Sequence, residues 1–285
     1  MQISNDKISI SVRDKGAELT SIKSLENNKE FLWQADPNFW GKHAPILFPV
    51  IGTMKDGEYE YNGKTYQMTK HGFARDLDFE FVSETKDTLK YVLKANDYTL
   101  KMYPFEFELY VMYKLESNKI ILTYEVFNMK DEDMYFSIGG HPAFNCDIEG
   151  GNAYLEFEKE ENFISRIVDG KNGLVSPNTI KVKNNKNQIH LSYDLFNNDA
   201  LIFENLNSNS IVIRNTKTND SVKMTHTGFP YMGIWTKPAP FICLEPWYGI
   251  ADYYNTNKKL EDKIGIRKLK GNESFACSYS IELNC

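Results

Sequence analysis

The stretch FEFELYVMYKLESNKIILTYEV, residues 105–126, decides the fold. Residues 105–111 and 120–126 are rich in aromatic and β-branched side chains, the composition of strands, and Glu116-Ser117-Asn118-Lys119 supplies the turn between them. The pattern repeats outward. Residues 79–82 and 89–93 read as two further strands on the N-terminal side. Before them, Glu58-Tyr59-Glu60-Tyr61-Asn62-Gly63-Lys64-Thr65-Tyr66 is a hairpin, because an Asn-Gly pair between alternating strands supplies the two positive-φ turn positions. Residues 7–12 alternate apolar and polar, and short strands follow at 16–19 and 30–33. Downstream, 134–138, 200–203, 210–214 with 221–224 as a hairpin, 229–235, 241–244, 264–269 and 275–283 complete the series. Repeated strands joined by short turns predict an all-β antiparallel sandwich or barrel. Two regions stand apart. The prolines in Ala44-Pro45-Ile46-Leu47-Phe48-Pro49-Val50-Ile51-Gly52 predict an irregular buried segment crossing the sheet. Residues 150–190 are polar and loop-rich, with Asn172-Gly173 and residues 184–188 as turn signals.

With 41% hydrophobic and 25% charged residues, the chain of 285 residues has the balance of a globular protein with a sizeable core. It has no heptads, no phosphate-cradling glycine loop, no fixed-period repeat and no linker, so residues 1–285 are expected to form one domain. A net charge of −6 provides no basic surface for nucleic acid or an anionic membrane. No run is long enough to span a bilayer, and MQISNDKISISV lacks the apolar core of a signal peptide. The cysteines at 146, 243, 277 and 285 form no CxxC pair, and Cys146 and Cys243 fit small packed hydrophobes. A cytoplasmic location is the expectation.

Four places carry candidate chemistry. In FICLEPWYGIAD, residues 241–252, an apolar run delivers Glu245, after which Pro246 is expected to end the ladder and Trp247 to offer a flat ring. A buried carboxylate beside an aromatic ring suits an acid or base facing a sugar; a glutamate satisfied by backbone amides at a strand end is the alternative. In Gly139-Gly140-His141-Pro142, two glycines allow close approach and the proline restricts His141 to extended geometry, which suits a catalytic histidine or a turn-capping one. In His71-Gly72-Phe73-Ala74-Arg75-Asp76, His71 reads locally as a hydrogen-bonded core residue, and Arg75 as either a binder of vicinal hydroxyls or a partner of Asp76. Asp199 reads locally as a turn cap rather than a cleft residue. Trp33 and Trp40 read as core.

Taken together, HGFAR (71–75), YPFEF (103–107), GGHPAFN (139–145), NDALIF (198–203), GIWTKPAPFICLEPWYGIAD (233–252) and LKGNESF (269–275) resemble the aldose 1-epimerase (galactose mutarotase-like) family, in its LacX-like branch. The resemblance covers nearly the whole chain. It implies a large antiparallel β-supersandwich with an open sugar-binding cleft, and interconversion of α and β anomers of an aldohexose or hexose phosphate. It also implies the roles: Glu245 as base at the C1 hydroxyl, His141 as acid at the ring oxygen, His71 as a hydrogen-bonding partner of the sugar, with Asp199, Arg75 and Trp247 as further binding residues. No metal or organic cofactor is implied, and the chain is expected as a monomer or homodimer. Related members carry an arginine just after the glycine of Ile51-Gly52; Thr53 stands there in this chain, which bears on substrate identity. For a phosphorylated sugar, Arg75, Lys42 and Lys55 are the expected cations. The other readings are a non-catalytic sugar-binding or sensing protein, and a glycoside hydrolase pairing Glu245 with a second carboxylate such as Asp252.

Overall fold

Two large sheets, in which every strand pair is antiparallel, carry the architecture of the computed structural model, which describes residues 1–284; Cys285 lies outside the described residues. The nine-stranded sheet runs in the order Gln188–His190, Ala153–Phe157, Ser210–Asn215, Ser221–Thr225, Ser274–Asn284, Lys119–Asn128, Phe107–Glu116, Thr88–Lys94 and Glu80–Glu84. The eight-stranded sheet runs Val175–Lys181, Ile164–Val168, Leu201–Glu204, Tyr231–Trp235, Phe241–Tyr248, Ile138–Gly140 and Ile46–Leu47, with Ala143–Asn145 also paired to Phe241–Tyr248. A three-stranded sheet (Gln2–Ser4, Ile8–Arg13, Glu18–Ser24) and two two-stranded ladders complete the β-supersandwich that the sequence implies.

The fold-deciding stretch forms the longest ladder. Phe107–Glu116 pairs with Lys119–Asn128 around a two-residue turn in which Ser117 has φ 55°. Along both strands buried and half-buried residues alternate, because one face packs on the core and the other meets solvent. Leu109, Val111, Leu122 and Tyr124 share a hydrophobic cluster with Ile234, Ile242 and Leu244 of the eight-stranded sheet. Apolar burial between these two inner faces, at about 25 cal/mol per Å², is the main cohesive force.

Since a strand's side chains alternate, the eight-stranded sheet must carry a second set of residues on its outer face. There Ile202 and Trp247 join one small apolar cluster, and Phe241 and Cys243 join another. Glu245 lies between them in the same alternation.

Local departures from the sequence reading have physical causes. Residues 30–33 form only isolated bridges at Glu30 and Leu32. Residues 134–138 divide at Ser137, whose N–H donates to Pro49 O (2.7 Å). Met134–Phe136 then pairs with Arg267–Leu269, while Ile138–Gly140 enters the large sheet. About half of 150–190, expected as loop, is strand, while turns do lie at 170–172 and 186–187 where the turn signals stand. Ala153, Leu155 and Phe157 are buried at alternate positions, a short signal obscured by polar neighbours. Asp97–Met102 is a helix, capped by Asn96 and Thr99 in reciprocal hydrogen bonds; at six residues it has no apolar period to read. The Asn62-Gly63 hairpin forms as expected, with φ of 48° and 72°. Within the proline-rich segment Ile46–Leu47 pairs at the sheet edge and Phe48 forms an isolated bridge with Gly72, the rest being irregular, also as expected.

Candidate active site

Pro246 does not end its strand. Phe241–Tyr248 continues through it as an interior strand, buried along nearly its whole length. On one side it pairs with Tyr231–Trp235, which sets Gly233 opposite Glu245. On the other, Gly139 faces Trp247 and Ala143 faces Cys243 in one continuous register, which sets His141 opposite Glu245. The ladder is interrupted only at His141-Pro142, so the two prolines stand where the sheet opens. The sequence had placed both side chains at strand ends; register makes them neighbours.

His141 Nε2 lies 3.2 Å from Glu245 Oε2. The contact lacks hydrogen-bond alignment, and neither Glu245 Oε2 nor His141 Nδ1 has a hydrogen-bond partner. Both side chains are buried, at 7% and 1% residual exposure. Burial drives each toward its neutral form. It raises the Glu245 carboxyl well above the usual range, reinforced by the charge of Asp199 and opposed by Lys70. It lowers His141 to about 3, with Arg75 and Lys70 adding to the effect.

His71 approaches His141 edge-on, with ring centroids 5.8 Å apart. The backbone at His71 and Gly72 takes φ of 67° and 72°, and a Cβ on Gly72 would collide with the Phe48 backbone, so the glycine is sterically required. Gly52 N–H donates to His71 Nδ1 (3.1 Å), while His71 N–H donates to Gly52 O (2.9 Å). Neutral His71 therefore carries its proton on Nε2, as a donor. Burial, followed by the charges of His141, Arg75 and Lys70, holds its pKa well below the ordinary value.

These groups line one cleft of about 260 Å³ together with Arg75, Asp199 and Trp247. All six candidate residues thus meet there. Asp199 has both of its contemplated roles: Oδ1 accepts the Ala200 N–H (2.8 Å) at a turn with φ 73°, and Oδ2 lies 3.9 Å from Lys70 Nζ. Arg75 likewise donates to Lys70 O (2.6 Å) and stands 3.5 Å from Asp76 while facing the cleft. Trp247 differs from expectation. Its ring packs over Gly233 and Gly139, and at 4% exposure it is a floor rather than an open platform. The half-exposed aromatic walls are Trp40 and Trp235. Trp40, read from sequence as core, stacks on His141 with centroids 4.9 Å apart.

The cations also differ from those expected. Lys42 is held by Asp76 (2.7 Å) and Lys55 by Tyr254 O (2.7 Å), and neither lines the cleft. Lys70 and Lys237 do. Sequence reading missed both lysines although Lys70 adjoins His71 and Lys237 lies within 233–252, because a loop position gives no period from which the direction of a side chain can be read. Asp252 is absent from the cleft: its Oδ1 accepts from Lys263 Nζ (2.7 Å) in a fully buried pair and its Oδ2 accepts from Lys55 N–H. It ties three loops together and cannot serve as a second cleft carboxylate.

The sequence model of the family described as aldose 1-epimerase matches residues 1–264. The plasmid-encoded protein LacX of Lactococcus lactis subsp. lactis is 31% identical over 99% of both chains. Among solved structures, a galactose mutarotase related enzyme from Lactobacillus acidophilus is 37% identical, with a TM-score of 0.92 over 100% of this chain and 97% of that one. A galactose mutarotase-like protein from Lactobacillus casei is 30% identical, with a TM-score of 0.94 over 100% and 99%.

Proposed function

The chain belongs to the aldose 1-epimerase family, and we propose that it is a mutarotase interconverting the α and β anomers of an aldohexose or hexose phosphate. The observation that carries this reading is the opposition of Glu245 and His141 across neighbouring strands, 3.2 Å apart at the floor of a cleft of sugar size.

Opening a hemiacetal removes a proton from the C1 hydroxyl and supplies one to the ring oxygen, one carbon away. A pair holding one proton between its members can do both, and reclosure on the other face returns the proton to where it began. The opposed shifts support this state. Between the lowered value of His141, about 3, and the raised value of Glu245, the pair retains a single proton. It rests on Glu245 until a sugar binds and passes across the 3.2 Å contact to His141 before Glu245 acts as base. With a sugar bound, Glu245 accepts from the C1 hydroxyl and His141 donates to the ring oxygen. His71, donating from Nε2, binds a sugar oxygen, and Asp199 accepts from hydroxyls. Trp40 and Trp235 provide apolar surface for a sugar face, and Trp247 supports the floor beneath Glu245. Lys70, Arg75 and Lys237 against Asp199 and Glu245 leave an excess of cations, which suits a phosphorylated substrate as well as a neutral one.

Anomer exchange of α-glucose, α-galactose and glucose 6-phosphate, followed by one-dimensional NMR, tests the reading with Glu245→Gln as control. Acceleration that disappears in the variant is the expected result. Saturable chemical-shift changes with no acceleration would favour the sugar-binding reading instead.

A further inference from the structure

The mechanism leaves one buried group beside the acid–base pair without a role. Cys243 precedes Glu245 by two residues on the same strand, so both side chains project from the outer face of the sheet. His141 joins them from the neighbouring strand. One ligand atom from each of His141, Cys243 and Glu245 lies within 4.8 Å of the others, and all three residues are buried. Two donors at alternate positions of a strand, with a third from across the ladder, form a three-point cradle on a rigid sheet. Glu245 Oε2 sits in it with no hydrogen-bond donor although its side chain is 1% exposed. An unpartnered buried acceptor of this kind costs stability unless something pairs with it.

We propose that this corner is a binding site for a borderline-to-soft divalent cation, with zinc as the type, held by Cys243 Sγ, Glu245 Oε2 and a ring nitrogen of His141. A thiolate, an imidazole and a carboxylate form a donor set suited to zinc or cobalt, and ill suited to magnesium or calcium, which take oxygen ligands. Three protein ligands leave a fourth position facing the cleft. Binding involves no redox step: the ion enters, the Cys243 S–H bond breaks, and that proton, with the one shared by Glu245 and His141, passes to water. The ion therefore takes the lone pairs that the ring-opening reaction needs, and it inhibits. The inhibition rests on the mutarotase reading; the binding site does not. Sugar and metal compete for the same two side chains, so a saturating sugar weakens metal binding and the metal weakens sugar turnover.

The test uses the whole metal-free protein and Cys243→Ala, with cobalt as the spectroscopic probe and zinc as the inhibitor. A thiolate-to-cobalt charge-transfer band at one ion per chain is expected in the unsubstituted protein and absent in Cys243→Ala. Zinc is expected to stop anomer exchange in the unsubstituted protein, chelator to restore it, and the variant to need at least about 10–100-fold more zinc, the loss typical of even an outer-sphere partner. A cobalt complex without a thiolate band, or equal zinc sensitivity in the two proteins, would overturn the proposal. So would full turnover with cobalt bound. If Cys243→Ala unfolds, Cys243→Ser provides a second variant of closer size, judged by the same band. If the metal-free protein lacks anomer exchange, the mutarotase reading fails while the cobalt band still decides the site.

Discussion

The Phe107–Asn128 hairpin and the Phe241–Tyr248 strand are both β ladders, yet they answer to different constraints. In the hairpin, burial alternates residue by residue, and every charged side chain stands at a half-buried or exposed position. In Phe241–Tyr248 seven of eight residues are buried, and the set includes a glutamate, a proline and a free cysteine. The hairpin obeys every local rule for a half-buried strand. The other strand breaks several: an acceptor without a donor, a carboxyl group forced toward neutrality, and a missing ladder N–H. Local rules are kept where the protein is held together and broken where it is proposed to act.

The largest effect that would break this contrast is catalytic. Glu245→Gln and His141→Asn should each lower anomer exchange by about 10²–10⁴-fold, the range for losing a general acid or base, with the fold retained. NMR exchange with a circular-dichroism check decides this, and a near-normal rate in either variant removes its role. The double variant should be little slower than the singles, because the two groups act as one unit.

Leu109→Ala tests the other arm. It deletes a fully buried side chain from the hairpin and should cost about 2–5 kcal/mol in denaturant unfolding. Its exchange rate per folded molecule should stay unchanged; a large rate loss would mean that the two regions are not separable.

A smaller effect concerns charge. Lys70 lowers the pKa of Glu245, His141 and His71 alike. In Lys70→Met all three should rise, moving both limbs of the pH profile of kcat/KM to higher pH. An unmoved profile would place Lys70 outside the electrostatic reach of the pair.

Stability against pH sharpens the contrast further. His141 and His226 are lowered to about 3 and 4 by burial, and His71 is lowered as well. A folded pKa below the unfolded value of about 6.5 means that the unfolded chain binds more protons. The histidine contribution to stability should therefore be full above about pH 6.5 and fall as pH drops toward 4 and 3, while the raised carboxyl of Glu245 contributes with the opposite sign, its stabilisation being lost as pH rises through its folded pKa. His141→Asn should flatten part of that fall in urea midpoints measured from pH 7 to 4. An equally steep fall would mean that the cleft is wetter than its burial implies.

The smallest effect lies at the hairpin turn. Ser117 holds φ 55°, a left-handed conformation costing an L-residue about 1–2 kcal/mol. Ser117→Gly removes that strain but adds freedom to the unfolded chain, so a gain of under about 1 kcal/mol is expected. A loss would show that the Ser117 side chain, not its backbone, sets the turn.

The sequence by itself determined the strands whose pattern is local: the 107–128 ladder, the Asn62-Gly63 hairpin and the close of the chain at Ser274–Asn284. Local pattern also singled out Glu245 and His141, because glycine, proline and charge beside apolar runs are unusual enough to notice, whereas His71, Arg75 and Asp199 entered as site residues through the family resemblance. Local pattern did not yield the short strands of 150–190, the break at Ser137, or the continuation of the ladder through Pro246. Each depends on a partner distant in sequence, as when Pro49 O takes the Ser137 N–H. Only the tertiary structure decided that His141 faces Glu245 across a register. It also put Trp40, Lys70 and Lys237 on the cleft wall, and left Asp252 locked to Lys263 away from it. The physical reason is one of range. Backbone sterics and the period of two act within a few residues, whereas the convergence of a site is fixed by which strands pair, in what register, and which face is turned outward.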